Sequence, residues 1–467
     1  EWAPHFPILH SKDLVNWEVK GYVFSQMPKW AKANFWAPEI AEDKGKFFIY
    51  YTAREISSNR LAVAVATADH PAGPWTDHGP MIAQDAGSID GVPFTDAKGV
   101  RWLSWKEDGN SKKRPTPLYL QRLSPDGTKL VGEMKEILRN DAPWEGAVVE
   151  GGFFVRHGEY YYLFYAGGAC CGRNCDYAVG VARAKDMEGP WEKAPTNPIM
   201  KGNETWRCPG HGSIVSDKDG RYWFLYHSYA QKGFVATGRQ MLLDEVVFGA
   251  DGWPTINGGK GASTRAAAPA AARTQKDVTS FRDDFNGSGQ LAPGWQYILG
   301  RKPESKLAGG KLTLTAGEDG ASSVQSIMVP SFVAETAVDV KQLSSGAFAG
   351  VVVYGDRVNQ ISLVTDGKKI QLWSQRRGER TTVAETPAQA GAGSIKLRIA
   401  SLDGGRFRFA AQGAGGKWTE IAVETDGSFL PPWDRGVRAG VYVSGAAGTT
   451  GSFDYFSLTP DDSKLFQ

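Results

Sequence analysis

FPILHSKDLVNWEVKGYVF (residues 6 to 24), LAVAVATADHPAGPWTDHGPMI (residues 61 to 82) and YAVGVARAKDMEGPWEKAPTNPIM (residues 177 to 200) are three versions of one pattern, strand, turn, tryptophan, strand. Weaker copies run from Pro117 to Leu138, turning at Asp126-Gly127, and from Gly238 to Ile256, turning at Asp251-Gly252. Ahead of every copy but the first lies a strongly aromatic strand: FFIYYT from Phe47, RWLSW from Arg101, YYYLFY from Tyr160 and RYWFLYH from Arg221. These strands begin 54, 59 and 61 residues apart, each after a Gly-containing turn of the hairpin kind. Four strands per unit and about sixty residues per unit describe a propeller blade.

Five units over residues 1 to 257 therefore predict a five-bladed β-propeller whose first blade is incomplete. The period places the aromatic hairpin of that blade ahead of residue 1, so about 25 to 40 further residues are expected upstream, with room for a signal peptide. Residues 258 to 280, beginning GGKGASTRAAAPAAARTQKD, have almost nothing to bury and read as a linker. From Phe281 to the end, short alternating segments such as Ala349 to Tyr354, Ile370 to Trp373 and Ser394 to Ile399 are divided by Gly and Asp turns. Residues 281 to 467 are expected to form a concanavalin-like β-sandwich, making the whole chain all-β.

Composition bounds the partners. With 467 residues the chain exceeds a single core, and 53 Lys and Arg against 51 Asp and Glu leave no broad basic face for nucleic acid or anionic membrane. The expected partner is uncharged. No apolar run approaches the roughly 18 residues needed to span a bilayer, so no membrane partner is expected. Cys170, Cys171, Cys175 and Cys208 lie within one local region. Zinc would have enough ligands there with His211, but the vicinal pair fits neither of the usual paired spacings, and a local disulfide or buried thiols is the better reading.

The innermost strand of each blade lines the central channel, so residues that open these strands gather at one face. The same register picks out Glu39 in WAPEI, Asp90 in SIDGVPF, Glu150 in VVEGGFF and His211 in PGHGSIV, spaced by 51, 60 and 61 residues. An unpaired carboxylate is costly to bury, so packing explains such positions poorly. Glu39, close to Glu42 and Asp43, reads best as a turn or backbone cap, whereas Asp90 and Glu150 are each followed by Gly among apolar neighbours. Trp36 and Trp2 fall near the channel mouth by register, where an aromatic face suits the apolar side of a sugar ring.

The strings HSKDLVNW, FWAPEI, SIDGVPF, VVEGGFF before YYYLFY, and PGHGSIV, in this order and spacing, resemble those of family 43 glycoside hydrolases, five-bladed propellers that invert the anomeric centre. The resemblance covers residues 1 to about 257 and extends to members with an appended sandwich. It implies that Glu150 is the general acid and that Asp90 is the carboxylate that raises the acid's pKa and orients it. The family's general base is an Asp on the innermost strand of blade one, and neither Asp13 nor Glu1 stands in that register, so this chain is expected to lack it. His211 matches a histidine beside a central calcium or water cluster, and Arg239 matches an arginine that points at substrate in some members. No cofactor is required on this reading, beyond a structural calcium at His211. ACCGRNCDY (residues 169 to 177) leans towards the arabinan- and arabinoside-cleaving branch, with β-xylosidase the alternative and a non-catalytic carbohydrate-binding propeller the rival outside enzymes. Plant cell-wall polysaccharide or oligosaccharide is then the expected partner, and a secreted or periplasmic location follows.

Overall fold

The computed structural model describes residues 2–389, 391, 393–413 and 416–461. They divide into two compact units, one of Pro4–Gln231 with Gln240–Gln275, the other of Lys276 onward together with Trp2, Ala3 and Lys232–Arg239. Both are β-structures; the α-helix among the described residues is a single turn, Phe234–Thr237.

The first unit contains four four-stranded antiparallel sheets, each a meander in chain order, and a two-stranded sheet. The meanders begin with Ala31–Asp43, Ser88–Thr95, Val149–His157 and Trp206–Ser216, and the two-stranded sheet pairs His5–Ser11 with Trp17–Phe24. The opening strands of successive meanders pack side by side, the arrangement of a β-propeller about its channel. Middle strands are covered on both faces by neighbouring sheets, which is why Leu61–Ala68 reads LAVAVATA and is buried throughout.

Aromatic second strands fill the space between sheets. Tyr50, Tyr51, Trp105, Tyr162 and Trp223 are all at most 1% exposed, and their polar atoms are matched. The Tyr50 hydroxyl donates to Gly127 O at 2.8 Å and the Tyr51 hydroxyl to Asp77 at 2.6 Å. One hairpin device recurs: Asp96 and Asp217 each accept two turn N–H groups and the indole N–H of a tryptophan six residues on, Trp102 and Trp223. A short polar side chain thus closes the turn and orients the ring that packs the next blade.

The second unit pairs an eight-stranded sheet with a six-stranded one. Their facing side chains, among them Leu363, Val351 and Val441 from one sheet and Leu397, Phe409 and Phe453 from the other, make a continuous core. Ala236, from the segment Lys232–Arg239, joins that core, so the boundary read at residue 257 differs from the structure by a short excursion inside the last meander.

Candidate active site

Each channel-lining strand is irregular where the register reading places a functional residue. Ladder registers shift between Trp36 and Glu39, Ile89 and Val92, Glu150 and Phe153, and Gly210 and Ser213. At each irregularity one residue takes a positive φ: Ala37 at 42°, Asp90 at 58°, Gly151 at 59° and His211 at 43°. Bulges of this kind re-aim side chains, and here they do so four times around one channel. Gly151 is doubly constrained, because a Cβ there would lie 2.7 Å from His211 Cγ.

These strands bring Asp90, Glu150 and His211 together. Asp90 is buried; its Oδ2 accepts the Gly151 N–H at 3.1 Å and lies 4.0 Å from His211 Nδ1. Its own N–H donates to Thr52 Oγ1 at 3.1 Å, and Val149 N–H donates to Thr116 Oγ1 at 2.7 Å, so hydroxyls from neighbouring sheets steady both acidic strands. Glu150 is 9% exposed, and both of its oxygens are engaged. Oε2 is 2.6 Å from Lys106 Nζ, and Oε1 accepts the Tyr177 hydroxyl at 2.9 Å. Lys106 is 1% exposed and also reaches Asp108 at 3.0 Å.

Burial is the largest influence on Asp90 and pushes its carboxyl above the ordinary range, with Glu150 adding to the rise and His211 and Lys106 opposing it. Burial is likewise the largest influence on Glu150 and pushes it up, but the Lys106 ammonium, His211 and the Tyr177 hydroxyl together outweigh it and hold Glu150 below the ordinary value. The expectation that Asp90 keeps Glu150 protonated therefore meets an opposing charge that the sequence reading missed. The two carboxyls are thus pushed in opposite directions, Asp90 up by burial and Glu150 down by the charge and hydrogen bonds that reach it.

Glu39, expected to serve as a local cap, accepts the Ile40 backbone N–H and also the Ser213 hydroxyl, at 2.9 Å on another sheet, and loss of water around its carboxyl pushes it up to about 7. Trp36 lies on the same strand as Glu39 and is partly exposed. Trp2 and Arg239 make contacts within the second unit. Trp2 pairs with Ile298 and packs edge-on against Tyr354, while Arg239 donates to Asp434 O at 3.2 Å, so both belong with the sandwich unit. Asp13 is taken up by its turn, accepting the Val15 and Asn16 N–H groups at 3.0 and 2.7 Å, and Glu1 lies outside the described residues.

Two disulfides, Cys170–Cys171 and Cys175–Cys208, use all four cysteines, which removes the zinc reading. Among the described residues no three His, Cys, Asp or Glu side chains are grouped to hold a metal ion. The Cys175–Cys208 bridge ties the loop before Tyr177 to the strand carrying His211. It closes a separation of 33 residues, so replacing both cysteines by Ser is expected to cost about 3 kcal/mol in the unfolding of the first unit, measured by denaturant titration.

Lys106 and Tyr177 are the functional neighbours that register reading passed over. A lysine inside the buried aromatic strand RWLSWKE was the available signal, since an ammonium is not buried without carboxylate partners.

Comparison with known proteins follows the same division. Residues 1–254 match the family described as Glycosyl hydrolases family 43, and residues 282–459 match the Beta xylosidase C-terminal Concanavalin A-like domain. Xylosidase/arabinosidase 43B of Humicola insolens is 27% identical, over 98% of this chain and 92% of its own length. The non-reducing end α-L-arabinofuranosidase BoGH43B of Bacteroides ovatus is 25% identical over 98% of this chain and 89% of its own. Among solved structures, a mutant of BlXynB from Bacillus licheniformis superposes with a TM-score of 0.84 at 25% identity, covering 97% of this chain and 93% of that one.

Proposed function

The chain belongs to glycosyl hydrolase family 43, and from that membership we propose that its channel site removes α-L-arabinofuranosyl groups from plant cell-wall polysaccharides or oligosaccharides with inversion at the anomeric carbon. The observation that carries the reading is the cluster of buried Asp90 and Glu150 with partly exposed His211 at the bulged openings of three adjacent channel strands. Inverting hydrolysis needs a carboxylic acid that protonates the leaving oxygen and a carboxylate that activates water on the opposite face. Glu150 takes the acid's part. As its proton passes to the glycosidic oxygen, the C–O bond breaks and the leaving group departs as a neutral alcohol, while water bonds to the anomeric carbon from the opposite face and gives its proton to the general base. That base is the blade-one Asp that the family resemblance implies, so rates are to be measured on the enzyme completed with that strand.

Asp90 sets the protonation of that acid. Two carboxyls this close cannot both ionise easily, so the last proton of the pair is held to higher pH than either would hold it alone. Asp90→Asn removes the repulsion and leaves Glu150 facing Lys106. The basic limb of the kcat/KM profile is therefore expected to move to lower pH, and an unmoved or rising limb would remove Asp90 from this role.

The loop carrying both disulfides favours arabinosides in this reading, whereas the C-terminal domain's likeness to that of β-xylosidases favours xylosides. Rates on nitrophenyl α-L-arabinofuranoside and nitrophenyl β-D-xyloside separate the two. At least about a tenfold preference in kcat/KM for the first, a difference of roughly 1.4 kcal/mol, is expected; a preference for the second would replace the substrate. The two disulfides also support a secreted or periplasmic location, where oxidised cysteines persist. No helix among the described residues is long and apolar enough to cross a membrane.

A further inference from the structure

Lys106 is an unusual residue to find beside a general acid. An ammonium group favours the ionised form of a neighbouring carboxyl, and an acid must be protonated to act. Yet Lys106 is 1% exposed, sits on the strand Arg101–Glu107 of a different sheet from Glu150, and lies 2.6 Å from Glu150 Oε2. With Tyr177 donating to Oε1, both oxygens of Glu150 receive donors, the pattern of an ionised carboxylate. The ligand-free site thus resembles the state of the acid after it has given up its proton.

We propose that Lys106 is a positioning residue for the general acid, fixing the Glu150 carboxyl from the neighbouring sheet and stabilising the negative charge that develops on it as the glycosidic oxygen is protonated. This rests on the reading of Glu150 as the acid. Charge stabilisation by a buried, preorganised group strengthens in the transition state, when the Glu150 O–H bond breaks and its electron pair stays on the carboxylate. Lys106 exchanges no proton. Its effect should grow as the leaving group worsens, because a poor leaving group demands more complete proton transfer.

The other groups that face Glu150 set the expected signs. Asp90, on Ser88–Thr95, opposes ionisation of Glu150; His211, on Trp206–Ser216, favours it; the phenol of Tyr177, stacked on His227 at 5.8 Å, donates to it. Asp108 acts through Lys106, drawing off part of the ammonium's field from 3.0 Å. Glu39 reaches the channel from Ala31–Asp43 but bonds Ser213.

The test is the pH dependence of kcat/KM for the enzyme and its Lys106→Met, Asp108→Asn and Glu150→Gln variants, on a natural oligosaccharide and on a nitrophenyl glycoside. Lys106→Met removes the charge that favours ionised Glu150, so the basic limb should move up by about one pH unit or more. On the oligosaccharide kcat should fall by about 10²-fold, with a smaller fall on the nitrophenyl substrate. Asp108→Asn leaves Lys106 committed to Glu150 and should move the limb the other way. A folded Lys106→Met enzyme with an unmoved limb, or with equal losses on both substrates, overturns the proposal. Should Lys106→Met not fold, Asp108→Asn decides alone: a lowered limb supports it, and an unmoved or raised limb overturns it. Glu150→Gln separates the two layers. A basic limb that vanishes in Glu150→Gln but stays put in Lys106→Met removes Lys106 only, whereas a limb that survives Glu150→Gln removes the acid reading and this proposal with it.

Discussion

Glu150→Gln is expected to lose about 10² to 10⁴ in kcat on a natural glycoside, the range that general-acid catalysis contributes, and much less on a nitrophenyl glycoside. The amide is nearly isosteric and can still accept from Tyr177, but it has no proton to give. Lys106 loses its nearest counter-charge and keeps Asp108 at 3.0 Å, so binding of sugar should survive. A nitrophenolate departs without help, which is why the two substrates should diverge. Equal losses on both would mean that Glu150 supports the fold instead of protonating the leaving group.

Replacing Glu145 by Ala is expected to destabilise the first unit by about 3 to 5 kcal/mol, the cost of breaking a buried pair and leaving its partners unmatched. Glu145 would be the next candidate if Glu150 failed, but it is fully buried, and every contact it makes is structural. Oε2 accepts the N–H groups of Asp141 and Ala142, both at 2.9 Å, and Oε1 accepts the Tyr165 hydroxyl at 2.7 Å. Lys193 Nζ approaches the two oxygens at 2.6 and 2.8 Å. The backbone carbonyl of Glu145 also accepts from Val148 and Gly168, which secures the turn that leads into the Glu150 strand. Urea unfolding of the alanine variant checks the magnitude through a lowered midpoint at unchanged slope. A loss below about 1 kcal/mol, the size of an ordinary surface substitution or less, would show that the cluster contributes little.

The blades were legible because their signals are local. An Asp or Gly turn, an aromatic strand and a period near sixty residues each depend on neighbours in sequence, as in the Asp96–Trp102 and Asp217–Trp223 clamps. Asp90, Glu150 and His211 were legible for a related reason, since one register repeated through successive meanders places them at the same channel face. What local reading could not supply was the charge balance across blades. The partner of Glu150 is 44 residues away on another sheet, and Lys106 lies just past the RWLSW string on which the strand reading rested. Glu39 was read in part only: the Ile40 N–H beside it is local, whereas its other partner, Ser213, is 174 residues distant. Trp2 was placed by register and Arg239 by its match to a family arginine, and neither ground foretold their contacts with the second unit, through the pairing of Trp2 with Ile298 and the segment Lys232–Arg239.

The most direct test of an inverting site is the configuration of the first sugar released, followed by proton NMR during hydrolysis of nitrophenyl α-L-arabinofuranoside before mutarotation mixes the anomers. A site in which Glu150 protonates the leaving oxygen while water attacks the opposite face in one displacement should release β-L-arabinofuranose first. Release of the α-anomer first would mean a covalent glycosyl-enzyme and two displacements, and would contradict the single-displacement site and the role of Asp90 as a carboxyl that only sets the protonation of the acid.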